Sequence, residues 1–73
     1  MEKQEMLKIA KSCNFYQDKE LKDLSGNTFV SFRNEATDLI FIYRDQKDGK
    51  FFLIGLFKSD RAKKLMKKWK NSR

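Results

Sequence analysis

At 73 residues, with 17 Lys and Arg against 10 Asp and Glu, the chain is one small domain of formal charge +7, and a single core of this size leaves little net stability once chain entropy is subtracted. One cysteine, Cys13, and no histidine exclude an internal disulfide and the usual zinc ligand sets. A hydrophobic content of 40% argues against disorder, the longest apolar run (51–57) is far too short to cross a bilayer, and the first residues lack the basic-then-apolar pattern of a signal peptide. A folded cytosolic protein with a reduced thiol is the expectation.

The apolar residues Met6, Ile9, Ala10 and Cys13 fall at i, i+3, i+4 and i+7, with Leu7 on the flank, and predict an amphipathic helix over 2–13 that Asn14 ends by tolerating a left-handed backbone. On that stripe Cys13 is expected to be a buried, structural thiol. Residues 18–24 read as a short helix capped by Asp18, burying Leu21 and Leu24 and closed by Gly26, although Phe15 and Tyr16 suit a strand equally well.

Three strands are predicted at 28–33, 38–44 and 50–58, joined by a four-residue loop at 34–37 and by an Asp48-Gly49 turn whose glycine needs a positive φ. The second and third are apolar on both faces: Leu39 and Phe41 alternate with Ile40 and Ile42, and Phe51 and Leu53 with Phe52 and Ile54. Two helices on one face would leave the other to be covered either by the segment around 16–24 or by a second copy of the chain. The last helix starts near Ser59, a suitable N-cap, with Asp60 complementing the helix dipole and Ala62, Leu65, Met66 and Trp69 as its core stripe. The fold class is therefore α+β, a three-stranded antiparallel meander flanked by N- and C-terminal amphipathic helices, with a homodimer expected.

Charge is unevenly placed. Residues 58–73 hold eight basic side chains and one acid, which equals the net charge of +7, so the remainder is close to neutral. Enzymatic chemistry has little to draw on: no histidine is present, Gly26, Gly49 and Gly55 are isolated rather than a phosphate-binding run, and Asp45 and Asp48 straddle a turn without the carboxylates of a calcium loop. No catalytic residue, metal or cofactor is expected. The last helix is instead a candidate polyanion surface, with Arg61, Lys64, Lys67 and Lys68 spaced to neutralise successive phosphates by counterion release. A solvated lysine face that keeps a small protein soluble is the plain alternative. Attachment to a membrane surface is disfavoured because Leu65 and Trp69 are needed in the core.

The order helix, three strands, helix, with Lys58-Ser59 opening the last element, resembles the double-stranded-RNA-binding domain, where a Lys-Ser-Lys-Lys start meets phosphates; here Asp60 stands in place of the next lysine. Leu53-Ile54-Gly55-Leu56-Phe57 resembles the sliding-clamp-binding peptide of bacterial replication proteins, the match falling on Ile54, Leu56 and Phe57, although the same run reads as sheet core. In size and lysine- and asparagine-rich style the chain is similar to small phage early proteins that inhibit host replication. That resemblance implies a non-enzymatic inhibitor in the host cytoplasm, occupying the sliding clamp or another protein of the nucleic-acid machinery. In the cationic channel of a clamp, contacts would come from acids such as Glu2, Glu5, Asp18, Glu20, Glu35, Asp45 and Asp48.

Overall fold

The computed structural model describes residues 2–46 and 49–70. The elements run α1 (Lys3–Ser12), β1 (Tyr16–Lys22), β2 (Thr28–Asn34), β3 (Leu39–Asp45), β4 (Phe51–Lys58) and α2 (Ser59–Lys70), and the strands form one antiparallel sheet in the order β1-β2-β3-β4. The α+β class and the meander are as expected, but there are four strands rather than three. The short helix expected over 18–24 is not formed: residues 16–22 make β1 by pairing with β2 from Tyr16↔Arg33 to Lys22↔Thr28, extending the strand character of Tyr16. Every β1 side chain except Leu21 is exposed, so intrinsic propensity had no say: an edge strand needs only a backbone partner, and tertiary pairing supplied it. The extra strand also removes the element order on which the likeness to a double-stranded-RNA-binding domain rests.

The two-sided apolar character of the central strands is met by one helix on each face, and not by two on the same face. On β2 and β3, Val30 lies opposite Tyr43 and Phe32 opposite Phe41, pointing to one side, whereas Ser31 opposes Ile42 and Arg33 opposes Ile40 on the other. The first set packs with Met6 and Ala10 of α1, and the second, with Phe29, packs with Ala62 and Met66 of α2. Ile40 and Ile42 are 2% and 0% exposed, each contributing about 1.5–3 kcal/mol by leaving water. On the α1 side an aromatic layer runs from Phe15 through Phe41 and Phe32 to Tyr43 and Phe51, with ring centroids 5.1–6.4 Å apart.

The ends of α1 are tied down separately. Lys3 Nζ donates to Asp45 Oδ1 at 2.9 Å. At the other end Asn14 (φ 63°) takes the left-handed conformation, and the N–H groups of Asn14 and Phe15 reach back to the carbonyls of Lys11 and Ala10, a Schellman stop. The buried stripe is rotated from the expected one: Met6 and Ala10 are buried and Leu7 packs beside them, while Ile9 is 51% exposed and Cys13 is also exposed. Between α1 and β4 a recess stays open, bordered by Ile9 and Cys13 on one side and Leu53 and Leu56 on the other. The expected buried thiol is thus corrected to an exposed one.

Gly26, expected to close a helix, sits at φ 87° in the β1–β2 turn instead. There the Asp23 carboxylate accepts the N–H groups of Ser25 and Asn27 and the Asn27 side-chain amide. Gly49 has the positive φ that its turn requires, while Asp48 lies outside the described residues. In β4 the register slips opposite Ile42 and Tyr43, where Gly55 and Leu53 are the partners and Ile54 is the extra residue of a bulge. A Cβ on Gly55 would come within 2.9 Å of the Phe57 ring, so this glycine is required by close approach and not by its backbone angle.

Gly55→Ala is expected to cost about 1–3 kcal/mol of stability in urea denaturation by overpacking, and clearly less in a Phe57→Leu background. Equal costs in the two backgrounds would place the strain elsewhere.

Candidate nucleic-acid interface

The rotation of α2 about its axis is set by what it buries. The helix leaves β4 without a linker, and its first residue is pinned to the β2–β3 turn. Ser59 N–H donates to the Asp38 carbonyl at 3.1 Å and Ser59 Oγ to Asp38 Oδ2 at 2.8 Å, while Arg33 Nη2 holds Asp38 Oδ1 at 2.8 Å. The Ser59 hydroxyl, expected to cap its own helix, donates its proton to Asp38. Hydrogen bonds from Arg33 and then Ser59 hold the Asp38 carboxyl below the usual carboxylate range. Further along, Ala62 and Met66 are 0% and 6% exposed, and Trp69 stacks on Phe29 at 5.0 Å with an interplanar angle of 25°.

With that stripe inward, Arg61, Lys63, Lys64, Lys67, Lys68 and Lys70 are all exposed. At 100° per residue, Arg61 and Lys68 share one flank, Lys64 lies on the crest and Lys67 begins the opposite flank, which continues to Lys63 and Lys70. Of the four cations expected to meet phosphate, all are thus on the surface, but they span an arc rather than one line. Of the ion pairs Lys3–Asp45 and Arg33–Asp38, the second sits at the start of this helix, where Asp38 also accepts from Ser59.

The flank carrying Lys63, Lys67 and Lys70 faces β1 across a groove of about 680 Å³. Its floor is Leu21 with the buried Ile40, Ala62 and Met66, and Asp18, Lys19, Glu20 and Lys22 of β1, two acids and two bases, line the other side. Sequence reasoning missed Lys19, Lys63 and Lys70 as a group because a residue in an unrecognised strand could not be set against a helix 40 positions away.

The residues carried over from the clamp-binding peptide are separated. Ile54 and Phe57 are half-buried in the cluster beneath α2, whereas Leu56 projects on the α1 side and is 57% exposed. The bulge at Ile54 puts Leu53, 55% exposed, on the same side as Leu56. Together with Ile9 and Cys13 they border a shallow apolar recess floored by Phe15, Phe41 and Phe51.

No group of three or more metal-ligating side chains occurs among the described residues, and Asp45, considered for a cation, is paired with Lys3. The Tyr43 phenol is pushed up by burial, with Asp45 and Glu20 adding to the shift, so it stays neutral at ordinary pH. No helix among the described residues is long and apolar enough to cross a membrane. Comparison with protein-family models, with curated proteins and with solved structures returned no match in any of the three.

Because Asp38 titrates lower folded than unfolded, its contribution is whole above about pH 4 and is lost as the pH falls through the folded-state value. Asp38→Asn should therefore flatten the acid limb of the stability–pH curve and weaken protection of the first α2 amides in hydrogen exchange. An acid limb identical to the parent's would show that this contact does not anchor the helix.

Proposed function

We propose that the chain is a non-enzymatic binding protein of the nucleic-acid machinery that engages phosphate through α2. The observation that supports this reading is the orientation of the helix: burial of Ala62 and Met66 leaves Arg61, Lys64, Lys67 and Lys68 exposed on one arc, with Asp60 its one acid. Phosphodiester chains bind such a surface by counterion release, so affinity is steep in salt and blind to sequence. The arc has no Asn or Gln among its described residues to read base edges, and its one arginine, Arg61, stands apart from Arg33 and Arg44 of the sheet.

Binding of labelled oligonucleotides, followed by fluorescence anisotropy, should fall by about 10³-fold or more between about 50 and 200 mM salt if several phosphates are neutralised. The variant Arg61→Gln/Lys64→Gln/Lys67→Gln/Lys68→Gln should lose most of that salt slope while keeping its far-ultraviolet circular dichroism. Absence of binding at the lowest salt would end the proposal.

A second reading, an inhibitor of the phage type that acts in the host cytoplasm by occupying a replication protein such as the sliding clamp, is favoured by the exposed apolar side chains Ile9, Leu53 and Leu56. The same recess is the surface on which a homodimer would form, since unpartnered apolar patches mark interaction sites. Leu53→Glu/Leu56→Glu is expected to abolish co-elution with a purified bacterial sliding clamp and to convert any dimer to monomer in light scattering. Unchanged mass and unchanged co-elution would remove this surface from consideration.

A further inference from the structure

Four of the six large apolar side chains most exposed among the described residues lie together: Ile9 on α1 and Phe52, Leu53 and Leu56 on β4, at 51–57%. β4 is an edge strand, so its outer side also presents backbone N–H and C=O groups. The exposure is two-sided. Leu53 and Leu56, opposite Tyr43 and Phe41, point to the α1 side, whereas Phe52, opposite Arg44, points to the α2 side with Phe29. A helix seated in the recess would cover only the first two; a strand laid along the edge flanks both sides and pairs the backbone. No charged residue lies between Phe51 and Phe57, and Lys63, Lys67 and Lys70 of α2 stand at the opposite edge of the sheet, beside β1.

We propose that the occupant of this edge is β4 of a second copy of the chain, paired antiparallel about a two-fold axis so that the two sheets become one. The inference rests on the reading of the recess as a homodimer surface and adds the strand pairing and its register. The bulge makes β4 its own complement. Residues directly opposite in an antiparallel pair point to the same side of the sheet, and in an uninterrupted strand a two-fold axis between neighbouring residues would set opposite sides together. Here the extra residue, Ile54, packs into the α2-side cluster, and Gly55, opposite Ile42, faces that side too. From Phe52 to Phe57 the sides therefore run α2, α1, α2, α2, α1, α2, the same from either end. The side chains do likewise. About an axis between Ile54 and Gly55, Phe52 meets Phe57 of the second copy and Leu53 meets Leu56, and only the central Ile54–Gly55 pair is unlike. Lys58 falls opposite Phe51 rather than another cation. Because the axis stands normal to the sheet, α1 lies beside the second copy's α1 and the two recesses join over Leu53 and Leu56, while both α2 helices stay on the far face. The four exposed side chains offer roughly 400 Å², taking about 200 Å² for each in full, half of the about 800 Å² that a stable interface takes from each partner. The edge backbone and the recess lining at Cys13 and Phe51 adjoin them.

Sedimentation equilibrium of the full chain from about 1 μM to 1 mM is expected to show a monomer–dimer equilibrium. Phe52→Glu, on the other side of the sheet from the recess, should raise the dimer dissociation constant by about tenfold or more. In a Cys13→Ser background, the Leu53→Cys and Leu56→Cys proteins mixed with copper–phenanthroline as oxidant should give a disulfide-linked dimer on a non-reducing gel, since directly opposite residues have Cα atoms about 4.5–5.5 Å apart. Either protein alone should not, because like residues lie three positions apart, about 10 Å along the strand. All the substituted side chains are exposed, and melting curves verify folding; if Phe52→Glu does not fold, the cross-linking decides. Cross-linking of either protein alone, or none in the mixture, overturns the register, and a dimer unaffected by a folded Phe52→Glu overturns the strand pairing; in both cases a homodimer through the recess stands. A parent that stays monomeric throughout removes the homodimer and this inference with it, and leaves the edge to a strand of another protein.

Discussion

The interaction on which the rest depends is the pairing of β2 with β3. Its register sends Val30, Phe32, Phe41 and Tyr43 to one face and Phe29, Ile40 and Ile42 to the other, so neither face tolerates water. A chain of this length cannot cover both faces from one side, and each terminus therefore closes over a different face. Placing α1 and α2 on opposite sides is the consequence, and it puts the cationic arc of α2 and the apolar recess beside α1 on opposite sides of the molecule.

The sheet edges are treated differently. β1 carries Asp18, Lys19, Glu20 and Lys22 and an irregular register near Gln17, features that keep an edge soluble and unpaired. β4 has no charge between Phe51 and Phe57, and its bulge at Ile54 turns both Leu53 and Leu56 to the α1 side. The Arg44 guanidinium over the Phe52 ring, at 5.3 Å, softens that edge. The cationic and apolar surfaces thus lie at different edges as well as on different faces, which is why variants at α2 and at Leu53 and Leu56 separate the two proposed readings.

Much of the fold is legible in the residues. The period of α2, the alternation of Leu39 to Ile42, the left-handed Asn14 and the positive φ of Gly49 follow from side-chain size, branching and the freedom of glycine, all of which are local. The β1 strand was not legible, because Gln17 to Lys22 are polar and gain their structure only from β2. Nor was the exposure of Cys13 and Ile9, since a helical period identifies an apolar stripe but not how much of it the neighbouring strands reach. The candidate site divides in the same way: Arg61, Lys64, Lys67 and Lys68 are visible as a charge run, whereas Lys19 enters only once β1 lies beside α2.

By itself, then, the amino-acid sequence determined that this is a small α+β domain whose charge excess lies within residues 58–73, because composition and periodicity are properties of neighbouring residues. The tertiary structure alone decided which way that helix is rolled, through Ala62 and Met66 against Ile40 and Ile42. It alone also decided that β1 forms the opposite wall of a groove and that Ile54 and Phe57 are parted from Leu56. Each of these depends on contacts between residues distant in the chain, and burial of apolar surface, which does not follow chain order, selects them.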